Sequence, residues 1–508
     1  EERQTYGDVM LNLSKTFKEK FSLDAHIGAS IKDNRFDELS VYGPIAGAPN
    51  IFNVVNLDKS QKKTPKTGWH EQTQSFFYSL ELGWKSQLFV TTTGRNDWAS
   101  QLANSPQKSF FYPSVGVSWL PSSTFNFPEK FNYLKIRASW ASVANPFPRE
   151  LTIATHPYDD TISGWDDKSN YPIGQLYPER TKTWELGFDA RFLHGFTLSA
   201  SWYRADTYNQ TFNPNLSASS GYSDIYIQTG HVRNTGVEAS LGYDHQWKNW
   251  NWNSQFTFSW NKNKIIELCK EWYNPITEET ITMNRLQISK LGRAKFILKE
   301  GGSMGDLYST TDLRRDDKGN IEIDEGGNVV VEDNLPDMKL GSVFPDYNLA
   351  WRNSVSWKNL NLGFLVTARI GGIVNSLTQA NMDLFGVSEA TAAARDAGGA
   401  LVNGRSLVNP ETWYTAIASQ GGIPQYYTYS ATNVRLQELS LGYTIPRKWL
   451  HNVCSITVSF VGRNLWMMYC KAPFDPEAVA STNNFYQGMD YFMMPSTRNL
   501  GFNINIKF

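Results

Sequence analysis

Three cysteines in 508 residues, Cys269, Cys454 and Cys470, are too few and too widely spaced for a disulfide framework. None lies in a C-x-x-C or beside clustered histidines, so no zinc site is expected, and the seven histidines are scattered. No run approaches the roughly 18 apolar residues that a helical membrane span needs. An excess of one charge is missing too: 48 basic against 49 acidic side chains leave a net charge of -1, which excludes an electrostatic footprint for nucleic acid. The motifs G-x-x-x-x-G-K-[ST], H-E-x-x-H and a helix-opening G-x-G-x-x-G are all absent. No catalytic residue, metal site or cofactor is therefore expected.

Aromatic side chains are abundant, at 14% with 18 Trp and 24 Tyr, although the mean hydropathy is only -0.43. Rings with polar tips suit a membrane–water interface or a sugar-binding surface. A transmembrane β-barrel reconciles these two facts, because only alternate residues of each strand face lipid. The strand pattern agrees. Trp184, Leu186, Phe188, Ala190 and Phe192 alternate with Glu185, Gly187, Asp189 and Arg191, and Leu134, Ile136, Ala138 and Trp140 with Lys135, Arg137 and Ser139. The same alternation runs through Tyr78–Lys85 and Val237–Asp244, and it ends the chain, where Phe502, Ile504, Ile506 and Phe508 are separated by Asn503, Asn505 and Lys507. Charges on the second face argue against a β-sandwich, and no blade-length repeat suggests a propeller.

Connections alternate in kind, as expected where periplasmic turns alternate with extracellular loops. Tight links fall near Lys18–Lys20, Lys85–Gln87, Pro121–Lys130, Leu193–Gly195, Lys248–Asn251, Lys358–Asn359 and Pro446–Val453. The other links, about 41–72, 100–108, 145–179, 209–227, 263–346, 372–432 and 468–498, are polar and rich in Tyr, Trp, Gly and Asn, and are read as extracellular. The segments between them predict about fifteen membrane strands. The segment 263–346 could conceal another strand pair within Gly301–Thr311 and Asp316–Glu332, or only a hairpin outside the membrane. An odd count puts the start of the chain at the extracellular side, and the opening Glu1-Glu2-Arg3-Gln4 has neither an initiator Met nor a signal peptide. The sequence therefore reads as 1–508 of a processed, cleaved or excerpted barrel.

Between Thr93 and Phe508 a series of strand and turn fragments occurs in a consistent order. They are Gly94-Arg95-Asn96-Asp97-Trp98, Phe111-Tyr112-Pro113-Ser114-Val115-Gly116, Leu134–Trp140, Lys182-Thr183-Trp184-Glu185-Leu186-Gly187 and Asn234-Thr235-Gly236-Val237-Glu238. Phe344-Pro345-Asp346-Tyr347, Val434-Arg435-Leu436 with Leu439–Pro446, and Gly462-Arg463-Asn464-Leu465-Trp466 before Phe474-Asp475-Pro476-Glu477 complete the series. In this order they resemble the starch-utilisation (SusC-like) family of TonB-dependent outer-membrane transporters. The resemblance implies an all-β barrel of roughly 22 strands, about fifteen of them here, with the plug domain and the remaining strands outside this chain. It also implies import of an oligomeric nutrient, glycan or oligopeptide, with a SusD-like surface lipoprotein as lid and the TonB complex, reached through the N-terminal part, as power source. A terminal Phe508 resembles the signal read by the barrel-assembly machinery, and is equally the last lipid-facing aromatic of its strand.

Recognition is the chemistry the long links offer, since aromatic faces stack on sugar rings while Asn, Asp and Arg bind hydroxyls. The candidates are Trp165, Tyr222, Tyr226, Trp272, Trp413, Tyr426, Tyr427 and Tyr486, each also suited to an ordinary role in loop packing or an interfacial belt. Asp475 and Glu477 could form a carboxylate pair, but Pro473 and Pro476 favour a rigid turn. Asp324, Glu325 and Asp333 resemble a loose cation site whose spacing misses the calcium-loop template, which favours a solvated loop. Two other function classes fit the composition, a self-contained porin-like channel and a surface adhesin binding glycans.

Overall fold

The computed structural model describes all residues except 150, 152–157, 160–163, 166–169, 172–175, 213–223, 229, 275–277 and 482–485. One antiparallel sheet of fifteen strands dominates it, each strand pairing with its predecessor among them. In chain order they are β1 (Glu2–Phe17), β2 (Phe21–Leu39), β3 (Lys66–Trp84), β4 (Leu88–Ala99) and β5 (Phe110–Trp119). Next are β6 (Phe131–Asn145), β7 (Glu179–Phe192), β8 (Phe196–Tyr208), β9 (His231–Gln246) and β10 (Trp250–Glu267). The last are β11 (Tyr347–Trp357), β12 (Leu360–Ile370), β13 (Asn433–Ile445), β14 (Ser455–Cys470) and β15 (Asn499–Lys507). Both the expected strand number and the expected alternation of links hold. Links 18–20, 85–87, 120–130, 193–195, 247–249, 358–359 and 446–454 gather at one end and the others at the opposite end. Among the described residues β1 pairs only with β2, and β15 only with β14.

The short turns close through left-handed backbone, at Lys18 and Glu19, Lys85 and Ser86, and Leu193 and His194, all with φ between 47° and 57°. That conformation matches the right-handed twist of paired strands, which makes such hairpins tight even without Asn-Gly.

Period-2 alternation becomes two chemically distinct faces. Leu134, Ile136, Leu186, Phe188, Ala200, Trp202 and Val237 line one apolar surface across β6–β9. Trp184 is 56% and Leu186 54% exposed, a pattern that suits a wall wetted by lipid. Toward the short-turn end an aromatic ladder crosses five strands, Phe131–Phe192–Phe196–Tyr243–Trp252, with centroids 6.3, 5.7, 4.5 and 5.1 Å apart. Stacked or edge-on rings at this level form the interfacial girdle of a barrel.

The long segment between β10 and β11 adds no wall strand. It folds into a separate four-stranded sheet, Arg285–Leu291, Ala294–Lys299, Asp306–Ser309 and Met338–Ser342. The Gly-rich run forms a narrow hairpin, with Asp312–Leu313 against Val331–Glu332 and bridges Arg315–Ile321 and Ile323–Val329. The 371–432 link supplies a short helical turn at Pro424–Tyr427 and three longer helices, α1 (Leu377–Leu384), α2 (Glu389–Asp396) and α3 (Pro410–Ala418). These links share cores. Ala294, Phe296, Leu307 and Val343 enclose Leu377 and Met489, while Leu313 and Val329 pack with Ala380, Ile417, Ile423 and Tyr427. Three links far apart in sequence thus make one cap at the long-loop end.

Candidate functional site

The inner face of the wall carries the polar residues that alternate with the lipid-facing set, and they are joined in ladders. Arg95 donates to Asp97 (2.7 Å) and to Ser75 (2.7 Å), and Tyr112 donates to the second Asp97 oxygen (2.9 Å). Arg137 donates to Asp189 (2.6 Å), lies 3.6 Å from Glu185, and Ser199 donates to Asp189 from the next strand (2.7 Å). Charge-assisted bonds between neighbouring strands fix these side chains in place. Several of the fragments that stand out in the sequence, around Arg95, Asp97, Tyr112, Arg137 and Glu185, therefore map onto one polar surface. A cavity of about 580 Å³ opens on this face of β6–β12, lined by Arg137, Ser199, Glu238, Thr257, Asn348, Arg369 and Glu477.

Above it the cap is tied to the wall. Arg435 on β13, almost wholly buried, donates to both Asp475 oxygens (2.8 and 3.2 Å) and lies 3.1 Å from Glu477. The Asp475 side chain also accepts from the Glu477 backbone N–H (3.0 Å), and Ala478 N–H donates to the Asp475 carbonyl (3.1 Å). The expected rigid turn is present, and its carboxylates serve an ion pair with Arg435 that sequence reading missed. Burial would raise the Asp475 carboxyl, but hydrogen bonds from Arg435 and Ser496 outweigh it and hold the group below its ordinary range. Phe344-Pro345-Asp346-Tyr347 marks the return into β11: Phe344 packs on the cap core and Asp346 N–H donates to Ile370 (2.9 Å). Gly371 follows with φ 80°, and a Cβ there would lie 2.1 Å from the Asp346 carboxylate, so only glycine fits.

Within the cap, Asp337 accepts from Arg285 (2.6 and 2.8 Å) and lies 2.9 Å from Lys299. Those hydrogen bonds hold its carboxyl far below the ordinary range. Ser376 donates to Asp490 (2.6 Å) and accepts from Gln379 N–H (2.9 Å), so one hydroxyl caps α1 and joins two links. The loose acidic set is occupied in a similar way. Asp324 accepts from the Asn328 backbone (2.8 Å), Asp333 accepts from Thr311 (2.6 Å), and among the described residues no group of metal-ligating side chains converges.

Among the described residues, Trp413, Tyr426 and Tyr427 share one core while Tyr226 and Tyr486 stand elsewhere. Trp413 and Tyr426 contact edge-on at 5.9 Å and pack on the core that holds Tyr427. Tyr427 is fully buried and donates to Asp383 (3.0 Å), and burial raises its phenol. Tyr486 stands exposed elsewhere, edge-on to Phe296 at 6.5 Å. Tyr226 lies half-buried between the short strands Asp224–Ile225 and Ile227–Gln228. Tyr222 lies outside the described residues, as do the side chains of Trp165, on the pair Tyr158–Asp159 and Gly164–Trp165, and of Trp272, on Cys269–Asn274. Phe508 follows β15 and is almost fully exposed. Exposed apolar residues of the cap, Phe385, Val387, Leu401 and Leu407, carry no aromatic-candidate pattern and escaped sequence reading.

The family model for the TonB dependent receptor-like β-barrel matches residues 2–465. The chain belongs to that family. This places it in the outer membrane, among receptors and transporters rather than enzymes, and the match starts well before Thr93, where the recognisable fragments begin. TonB-dependent receptor P3 of Formosa agariphila is 26% identical over 547 residues, covering 98% of this chain and 52% of that protein. TonB-dependent receptor SusC of Bacteroides thetaiotaomicron is 21% identical over 404 residues, covering 74% of this chain and 38% of that protein. Among solved structures, the RagAB peptide importer in its open-open state superposes with a TM-score of 0.77 at 18% identity, covering all of this chain and 55% of that one. The chain thus spans about half the length of the relatives it matches.

Proposed function

We propose that residues 1–508 form most of the barrel wall and the extracellular cap of a SusC-like importer for an oligomeric nutrient. In this reading the links 41–72, 145–179, 209–227, 263–346, 372–432 and 468–498 face outward, and further strands bridge β1 and β15 to complete roughly 22 around a plug. Energy comes from the TonB complex through the N-terminal part, and a SusD-like lipoprotein closes the top. The observation that carries the reading is a tall wall, apolar outside and ionic inside, beneath an ordered cap. No bond is made or broken; the wall supplies a hydrated path and the cap helps to select.

Between glycan and oligopeptide, the inner face favours the peptide. Both charge signs line the cavity, Arg137 and Arg369 with Glu238 and Glu477, which suits a chain bearing an ammonium, a carboxylate and charged side chains better than a neutral sugar. RagAB, whose fold this chain shares, is a peptide importer. Exposed Phe385 and Val387, with Leu401 paired across a hairpin from Leu407, support a protein lid over the cap. Tyr226, Trp413 and Tyr486 are the aromatic candidates we retain for substrate contact.

The test is uptake by cells deleted for the full gene and complemented with it, offered labelled oligopeptides or labelled oligosaccharides of matched mass. Loss of peptide uptake on deletion, with restoration by the wild-type gene, is expected. Loss of sugar uptake alone would reverse the substrate assignment, and uptake that persists without TonB would favour a porin-like channel.

A further inference from the structure

On β7–β10 the lipid-facing residues Leu186, Trp202, Val237 and Trp260 stand side by side in one cross-strand row. Two residues closer to the cap, about 7 Å along the strands, the same outward face reads Trp184, Arg204, Thr235 and Lys262. The following row is Lys182, Asp206, Arg233 and Lys264, and Arg180 lies beyond it. Six cations are thus concentrated just outside the apolar belt. The acids on this face are Asp206 and, opposite His231 at the rim, Glu267. Asp206 is already shared by Arg204 (2.8 Å), Arg233 (2.7 Å) and His231 (2.6 Å). Lys182, Lys262 and Lys264 are exposed, and among the described residues none of them has an acidic partner. Over β2 and β3 the corresponding end is balanced instead, Arg35 with Asp37 and His70 with Asp33.

We propose that this basic outer face of β7–β10 binds the phosphate groups of an outer-leaflet glycolipid. The position decides the ligand. A cationic row directly above the lipid-facing row lies where lipid headgroups meet water, and clustered Lys and Arg bind phosphate through charge-assisted bonds. Arg204 and Arg233, held in place by Asp206, form a fixed floor, while the three lysines supply mobile point charges. The inference rests on the reading that the long-loop end faces outward.

The full protein, exchanged into nanodiscs, is offered lipid A with its phosphates, enzymatically dephosphorylated lipid A, or inorganic phosphate, and bound lipid is counted by native mass spectrometry. A preference of about tenfold or more for the phosphorylated lipid is expected, falling about fivefold per lysine removed in Lys182→Gln/Lys264→Gln and surviving in Lys182→Arg/Lys264→Arg. Equal retention of both lipids, or an unchanged preference in the glutamine pair, overturns the proposal. Displacement of the lipid by inorganic phosphate at comparable concentration also overturns it, since the site would then select a free anion. Orientation is read separately, by labelling Leu401→Cys on intact cells with an impermeant maleimide above the level of the unsubstituted protein. Failure there with lipid preference intact would overturn the outward reading and with it the outer-leaflet assignment, whereas labelling with no lipid preference would overturn the phosphate site alone.

Discussion

In the wall, Leu186, Trp202 and Phe502 stand exposed on the outer face, whereas in the cap Phe296, Leu307, Ile423 and Tyr427 are enclosed by protein. The largest fully buried side chains, Phe110, Leu102, Leu176, Ile265, Leu268 and Leu298 among them, likewise cluster at or near the long-loop end. The wall is therefore a structure whose apolar partner is lipid, held by sequential antiparallel ladders that satisfy the backbone. The cap folds as a water-soluble domain does, around cores assembled from distant links. Different physics should then govern damage to each.

The largest effect is expected where the two regions meet. Arg435→Ala leaves the buried Asp475 carboxylate without its cation, and removing one member of a buried pair typically costs about 3–5 kcal/mol. Limited proteolysis should cut the 471–498 link in this variant while the barrel still migrates as a folded species in unheated gels. Resistance equal to the wild type would mean that the cap does not depend on this tie.

A charge on the lipid face sharpens the contrast from the other side. Leu186→Arg should destabilise the membrane-inserted barrel by about 2–4 kcal/mol, depending on its depth, in urea titrations into lipid vesicles. Ser259→Arg, on the hydrated inner face, should change the same midpoint little. Equal sensitivity at both positions would contradict the assignment of the faces.

This division also explains what was legible in the sequence. The wall could be read because its signal is local: Trp184–Phe192 declares its faces by alternation, and each link is short or long in its own right. The cap could not, because Leu313, Leu377 and Met489 share their cores with residues of other links far along the chain, Leu313 with Ile417 and Leu377 with Met489. The same holds for the site. Arg95, Arg137 and Glu185 could be placed on the polar face from parity alone, but the pairing of Arg435 with Asp475 required the fold. Tyr427 looked like a recognition residue because an aromatic in a loop has the same local sequence whether it packs inward or points at substrate.

Titration separates the regions more gently. Burial raises the phenols of Tyr426, Tyr427 and Tyr429 in the cap, that of Tyr429 to about 12. For groups raised above their unfolded value, the contribution is complete below about pH 10 and is lost as pH rises through the folded values. Asp337 and Asp475 are depressed, so their contribution is present above about pH 4 and is lost only as pH falls below it. Phenolate absorbance during a rise in pH should therefore appear late and together with loss of cap structure. An early phenolate signal at about pH 10 from these tyrosines would mean that their rings are solvated.

The smallest change tests whether cap and wall are independent at all. Asn409 precedes α3 and accepts from the Glu411 and Thr412 N–H groups (2.9 and 3.3 Å), while Pro410 occupies the first turn where no donor is needed. Asn409→Ala removes that acceptor at a cost of about 1 kcal/mol, and Asn409→Asp should retain it. Since α3 delivers Ile417 and Ala418 to the cap core, amide exchange across Pro410–Ala418 should quicken by about fivefold in the alanine variant. The β7–β10 ladders should be unaffected, because no side chain of α3 contributes to their register. If their exchange quickens by the same factor, wall and cap open as one cooperative unit, and the cap must be counted among the elements that hold the barrel together.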